Sequence, residues 1–505
     1  MKSASEWLEN LKVAIYHDPE LEYPSETPYS PHTKYPEYPF QHISKTVNGV
    51  YDAVRQIIMK LGLDSGNFET SHWNPLKGFI QPGNTVVIKP NFVLERHDRG
   101  GDLFAIITHP SVLRAVIDFV YLALQGQGRI IIADAPQMDC NFNRLVTVTN
   151  LKSIQEFYKR EAGFNLEIYD LRNFWFNVDE AGSAGVAYSK YRYPLPGDPQ
   201  GEVVVSLGKN SLFYGLDSRN FYGADYDRRE VIRFHHGEIH DYVLSKTILS
   251  ADVVILVPKL KTHKKVGVTL NIKGLVGMVT NKNCLVHYRL GTPSVGGDQF
   301  PDDLLDAKEK ARVKLQRMVY DLFLSHRHPV TDAIYDIARK TGSILLNSFG
   351  FKVSSRKALL DAGNWFGNDS AWRMAVDLYR IFLYADQKGS LSTVPVRKIF
   401  SIIDGIVGGE EEGPLVPRAK RCGVLIAGFN PGVVDIVATR VMGFDYRRVR
   451  MLSSLLLNPE SFHISLDGIS VLSNNDEYTN LLESTNKKKY LNFEPSPGWK
   501  EFIEI

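Results

Sequence analysis

Between residues 253 and 273 the chain reads VVILVPKLKTHKKVGVTLNIK, an apolar run that breaks at Pro258 into Lys259, Lys261, Thr262, His263, Lys264 and Lys265. Thr269, Asn271 and Lys273 follow, and then Gly274 and Gly277. Lysines gathered just past a buried strand are suited to binding an anion. A histidine in their company is held neutral by the surrounding charge, which suits acid/base work. Four other stretches have the same form, an apolar run stopped by polar residues with Pro or Gly: Lys89-Pro90-Asn91, Asp134-Ala135-Pro136, Asp404-Gly405 and Asn430-Pro431. His263, Lys261, Asp134 and Asp404 are therefore the candidate catalytic residues. Lys89, Asn91, Lys259, Thr262, Asn271 and Lys273 are the candidate substrate-binding residues. Lysines facing carboxylates would hold an anionic small molecule, alone or through a divalent cation such as magnesium, with Asp404 and Glu410 as candidate metal ligands.

Each assignment has a plainer counterpart. Lysine-rich loops are usually solvated surface, and Asp134 before Ala-Pro can simply cap a turn. The glutamates at 410–412 read first as a solvated, glycine-bounded loop and only second as metal ligands. In the run HHGEIH, His235, His236 and His240 with Glu238 have the spacing of a helix-borne metal pair but lack the HExxH pattern, so a structural role is favoured. Cys140 follows the Asp134 strand without an identifiable activating partner. The run GADYDRR at 223–229 has the look of a polar turn and lacks EF-hand spacing. The sequence holds no P-loop, no GxGxxG after a strand and no GxSxG elbow.

These strand ends need a sheet to bring them together. Apolar runs at 85–89, 129–133, 251–257, 398–403 and 423–427 read as strands, and Thr108-His109-Pro110 opens a helix between the first two. A strand, helix, strand unit implies parallel pairing. The expectation is an α/β fold, a mainly parallel sheet flanked by helices, interrupted by a β-rich or irregular insertion and a helical insertion. The organisation reads as an extended Tyr/Pro-rich arm (1–45), the first part of the core (46–150), the irregular insertion (151–230) and a core segment with the lysine-rich loop (231–300). A helical insertion or cap (301–395) and the end of the core with a tail (396–505) complete it. In parallel neighbours all five strand ends would share one edge, where open α/β sheets bind ligands.

Composition narrows the classes. With 59 basic against 57 acidic side chains the net charge is +2, which argues against a general nucleic-acid binder. Three scattered cysteines and no CxxC encode no iron–sulfur cluster or zinc ribbon, and they suit a reducing compartment. The opening residues lack a leader pattern, and no apolar run is long enough to span a bilayer, so a cytoplasmic location is expected. The Tyr/Pro arm reads as a strap over its own domain, with a partner-binding arm or a homo-oligomer as the other options.

The stretches VVIKPNFV (86–93), THPSVLRAVIDF (108–119), IIIADAP (130–136), ADVVILVPKLKTHKKVGVTLNIKGLVGMV (251–279), IIDGIVGGEEEGP (402–414) and NPGVVDIVATRVMGFD (430–445) together resemble the family known as domain of unknown function 362. The resemblance implies an α/β fold and a shared site at these motifs, without a settled reaction. Many relatives carry a ferredoxin-like cysteine module that this chain lacks. The arm, the GADYDRR run and the helical insertion resemble a subgroup sometimes associated with cell-surface polysaccharide gene clusters. The leading functional expectation is an enzyme acting on an anionic small molecule, phosphorylated or carboxylated, including sugar derivatives. A non-catalytic binding or assembly protein is the alternative, together with a redox-associated protein that has lost its iron–sulfur module.

Overall fold

The computed structural model describes residues 2–177, 192–223, 228–304, 361–478, 480–484, 486 and 489–505. A ten-stranded sheet runs through it. Its strands are β1 (Lys12–His17), β2 (Thr85–Pro90), β3 (Arg129–Asp134), β4 (Leu166–Asp170), β5 (Val253–Val257), β6 (Lys259–His263), β7 (Gly267–Val268), β8 (Lys398–Glu410), β9 (Arg418–Gly428) and β10 (Ser470–Ser473). The spatial order is β10-β1-β9-β8-β5-β2-β3-β4, with β6 pairing onto the outer half of β8 and β7 onto β6. β8, β5, β2 and β3 are parallel neighbours, as the apolar runs implied, and β4, from the stretch read as an irregular insertion, joins the same sheet parallel to β3. In β5 every residue from Val253 to Val257 is buried, the mark of a strand covered on both faces.

Five helices matter for the site: α1 (Gly49–Lys60), α2 (Pro110–Leu124), α3 (Leu270–Gly274), α4 (Ala371–Tyr384) and α5 (Pro431–Met442). Alternate residues of the strands feed two cores. Val86, Ile88, Ile130, Ile132, Ile255 and Val257 pack with α1 and α2 on one face. Val87, Ile131, Val254, Leu256 and Ile403 pack with α4 and α5 on the other. Helix starts follow local chemistry. Asn48 caps α1, His109 caps α2 with Pro110 in its first turn, and Asn430 caps α5, which Gly443 closes at φ +94°.

Several expectations change. β9 runs antiparallel to β8, pairing Gly428 with Ser401 and Arg418 with Glu410. Asn430-Pro431 therefore lies at the opposite edge from Asp404. Both strands are longer than the apolar runs indicate, which leaves a connection too short for a parallel crossover. Lys259–His263 and Gly408-Gly409-Glu410 are strand, not loop. Residues 12–17, counted in the arm, form β1 inside the sheet between β9 and β10. The rest of the arm lies on its own domain, with Tyr29, Tyr38 and Phe40 buried in the α1–α2 core. HHGEIH is a tight antiparallel turn, not a helix, with His240 opposite His235. Of the helical insertion, only residues outside 305–360 are described, and α4 is its helix there. Most of the GADYDRR run lies outside the described residues too.

Among the described residues no helix is long and apolar enough to cross a membrane.

Candidate functional site

Four of the five polar strand ends converge, those of β2, β3, β5–β6 and β8. What they form is a buried charge network. Lys89, Asn91, Asp134, Lys259, Lys261, Thr262, His263, Asn271, Lys273, Asp404 and Glu410 are each at most 7% exposed.

Register builds the network. Lys259 lies opposite Asp404 in the β6–β8 pairing. Its Nζ is 3.0 Å from Asp404 Oδ2 and donates to Tyr23 Oη at 2.6 Å. Tyr23 in turn donates to Asp404 Oδ1 at 2.6 Å and stacks on the His109 ring with centroids 4.0 Å apart. The backbone N–H of His109, at the start of α2, gives Asp404 Oδ2 a further hydrogen bond of 2.9 Å. Burial, then the Asp404 charge, raises the Tyr23 phenol well above its ordinary value, so it stays protonated. Burial, then Lys259, pushes His109 well down.

A second pair joins β2 to β3. Lys89 Nζ is 2.8 Å from Asp134 Oδ1, and Phe92 N–H donates to Asp134 Oδ2 at 2.8 Å. Gly277 roofs this pair: a Cβ there would lie 1.9 Å from Asp134 Oδ1 and 2.4 Å from Lys89 Nζ. That contact is the physical reason for the second glycine of N-x-K-G-x-x-G.

Lys261 and Lys273 have no such carboxylate partners among the described residues. Lys261 donates to the carbonyls of Ile106 at 2.6 Å and Pro414 at 3.4 Å. Burial, then Lys259 and Lys273, depresses its amine well below the usual value. Lys273 makes no hydrogen bond or ion pair among the described residues, and burial brings its amine down to about 8. His263 accepts the Lys265 N–H on Nδ1 at 3.1 Å. Burial and the charges of Lys273, Lys265, Lys261 and Lys264 hold its ring neutral. The proton of the neutral ring is then on Nε2, which has no partner among the described residues. The ring presents a donor here, where a general base would need a bare nitrogen.

Not all the candidates face this cluster. Asn271 donates to Asp435 Oδ1 at 2.8 Å and accepts from Ser401 at 2.7 Å, pinning α3 to α5 and β8. Thr262 donates to the carbonyl of Glu411 at 3.0 Å. Asn91 lies at the β2 end, its Oδ1 buried and without a donor among the described residues. Glu410 is held by Arg418 at 2.7 Å and Lys420 at 3.0 Å. Each candidate metal ligand is thus engaged by cations, and no group of three or more His, Cys, Asp or Glu is arranged to hold a metal ion among the described residues.

Sequence reasoning missed Lys282, Tyr23 and His287. Lys282 is 2% exposed and donates to the carbonyls of Ala135 at 2.8 Å and Val276 at 2.7 Å. Burial takes its amine down to about 7. It follows Gly277 by five residues, and its place after the motif was the available signal. His287, also neutralised by burial, feels the charges of Lys273, Lys265 and Lys282. Tyr23 is one tyrosine among many in the arm, and nothing local marks it. Cys140 is buried and its thiol pushed well up by burial.

One strand further along the same edge, a cavity of about 430 Å³ opens at the end of β4, lined by Asn141, Phe142, Tyr169, Asp170, Arg172 and Trp175 among others. No residue of the network is among those that line it, although Leu171 N–H, between Asp170 and Arg172, donates to the Asp134 carbonyl at 3.0 Å.

No curated protein and no solved structure matches the chain. The family model described as "Domain of unknown function (DUF362)" matches residues 86–183 and 196–440, a span that takes in β2, β3 and every cation of the network. With β6, the Gly277 roof and the paired carboxylates all inside that match, the chain belongs to the DUF362 family.

Proposed function

We propose that the strand-end cluster binds an anionic small molecule and that the chain is an enzyme acting on it. One observation carries this reading: Lys273 and the Nε2–H of His263 are buried donors without acceptors among the described residues. A buried ammonium lacking a counter-charge costs several kcal/mol, and an anion seated there would offset that cost. Phosphorylated or carboxylated metabolites, sugar derivatives included, fit the donor set. In this reading Lys261 and Lys273 hold the anion and His263 donates a hydrogen bond from Nε2 to the reacting group. The pairs Lys89–Asp134 and Lys259–Asp404 keep the edge rigid.

A thermal-shift screen of phosphorylated and carboxylated metabolites tests it. A ligand present at about 100 times its Kd should stabilise the fold by about 2.7 kcal/mol. The gain should vanish in Lys273→Met, whose ligand-free midpoint should be no lower than that of the parent. Once a ligand is found, His263→Gln should bind it and fail to turn it over. A screen in which no anion raises the midpoint, or equal binding by Lys273→Met, would sink the reading.

A further inference from the structure

Among the described residues, amines outnumber carboxylates at the strand ends. Five lysines, Lys89, Lys259, Lys261, Lys273 and Lys282, are each at most 7% exposed. Among the described residues two buried carboxylates pair with them, Asp134 with Lys89 at 2.8 Å and Asp404 with Lys259 at 3.0 Å, and Asp102 adds its charge at Lys259. Lys261 and Lys282 give hydrogens to backbone carbonyls alone, and Lys273 gives none, among the described residues. Three amines therefore share one region without a carboxylate of their own. They are near enough that Lys273 disfavours the charged form of both Lys261 and Lys282, while the Asp134 carboxylate, already paired with Lys89, favours it in both.

Among the described residues, the charged and titratable groups around Lys273 come from several elements. Lys261 and His263 lie on β6, Lys265 in the turn that follows, and Lys282 and His287 on the segment beyond α3. None of these is an acid. Asp435 on α5 is turned to Asn271 and to the backbone of α3, and Asp377 on α4 is bonded to Ser211 and Tyr242.

We infer that the ligand of this site is a phosphate-type polyanion with at least two negative charges, a phosphate monoester or a diphosphate, seated on Lys261, Lys273 and Lys282 with the Nε2–H of His263 as a fourth donor. This rests on the anion-binding reading above and narrows it. A monocarboxylate would neutralise one ammonium and leave two buried without a counter-charge. A phosphoryl group brings two charges and three acceptor oxygens, enough to meet lysines acting as separate point charges. Without such a ligand the region can relieve itself by shedding protons, the direction in which Lys273 and Lys282 are displaced. Binding should reverse that displacement, so the complex takes up protons from solution at pH 8.

Isothermal titration at pH 8 in two buffers of different ionisation enthalpy tests this, with acetate, inorganic phosphate and pyrophosphate as probes. Affinity should climb from acetate to pyrophosphate by at least tenfold, with net proton uptake for phosphate and pyrophosphate. Lys282→Met should lower both the affinity for pyrophosphate and the uptake. Acetate binding as tightly as pyrophosphate, or binding without proton uptake, would overturn the polyanion assignment and leave the anion site standing. Failure of all three probes together with an empty metabolite screen would sink both. If Lys282→Met does not fold, the charge ladder and the proton count on the parent protein decide alone.

Discussion

Replacing Gly277 with alanine should break the Lys89–Asp134 pair from above. Gly277 is not at a positive φ, so its requirement is one of space. The added methyl would fall 1.9 Å from Asp134 Oδ1 and 2.4 Å from Lys89 Nζ, where ordinary contact needs about 3.4 Å or more. Neither group can withdraw easily. Asp134 also holds the Phe92 N–H at 2.8 Å, and both side chains are 3% exposed. Prising apart a buried ion pair costs about 3–5 kcal/mol. At about 2.1 cal/mol/K per residue, a chain of 505 residues unfolds with an entropy of about 1 kcal/mol/K, so the midpoint should fall by about 3–5 °C. The same motif contains its own control. Gly274 has helical angles (φ −58°, ψ −26°) and nothing within 4 Å of a Cβ. Gly274→Ala should leave the midpoint unchanged or raise it by up to about 1 °C. Differential scanning calorimetry of the two variants reads both. Equal behaviour of the two variants, or a loss below about 1 °C for Gly277→Ala, would refute the roofing role.

Tyr23→Phe keeps the stack on His109 but removes the hydroxyl shared by Lys259 and Asp404, which should cost about 1.5–3 kcal/mol; an unchanged midpoint in scanning fluorimetry would mean that the bridge contributes nothing. Lys273 and Lys282 lose their protons in the fold at about 8 and about 7 against 10.5 when free. The unfolded chain thus binds more protons between pH 7 and 10, and the contribution of these lysines to stability rises with pH across that window, with the full penalty present below pH 7. Lys273→Met should therefore exceed the parent midpoint most at pH 7, by about 1–3 °C, with the gap closing toward pH 10; a gap that is constant or widens with pH contradicts the buried charge. Cys140, Cys284 and Cys422 are buried, with Cys284 and Cys422 pushed up to about 12 by burial. A disulfide-exchange dye at pH 8 should find no reactive thiol in the native protein and three after unfolding; a fast native thiol would disprove their burial.

Legibility followed the physics of each element. β2, β3 and β5 are short apolar runs that end abruptly, and both their type and their parallel pairing came through because a doubly covered strand needs nothing else. α2 announced itself by proline in the first turn. β8 was read as a strand over 398–403 but not to its full length, because Gly405, Gly408 and Gly409 break the apolar pattern while the strand continues past a register shift between Gly405 and Val407. That hidden length turned β9 round and carried Asn430 to the far edge. The lysines were visible as a group, but their division into paired and unpaired members was not. Pairing depends on register, Lys259 against Asp404, and on a hydroxyl from Tyr23, which lies more than 380 positions from Asp404.

That last contact bears on how the protein assembles. β1 pairs Val13 with Gly428 on one side and with Val471 on the other, and the chain then crosses the edge to deliver Tyr23. Pairings over such separations are slow to form, because loop closure must precede any reward from the contact. Synthesis puts the partners of β1 hundreds of residues behind it, so Lys259 and Asp404 should meet before Tyr23 can bridge them. Pulse-labelling hydrogen exchange during refolding would register this as late protection of β1 relative to β2, β3 and β5. The tyrosine would then act as a closing stitch, set after the charges beneath it are in place.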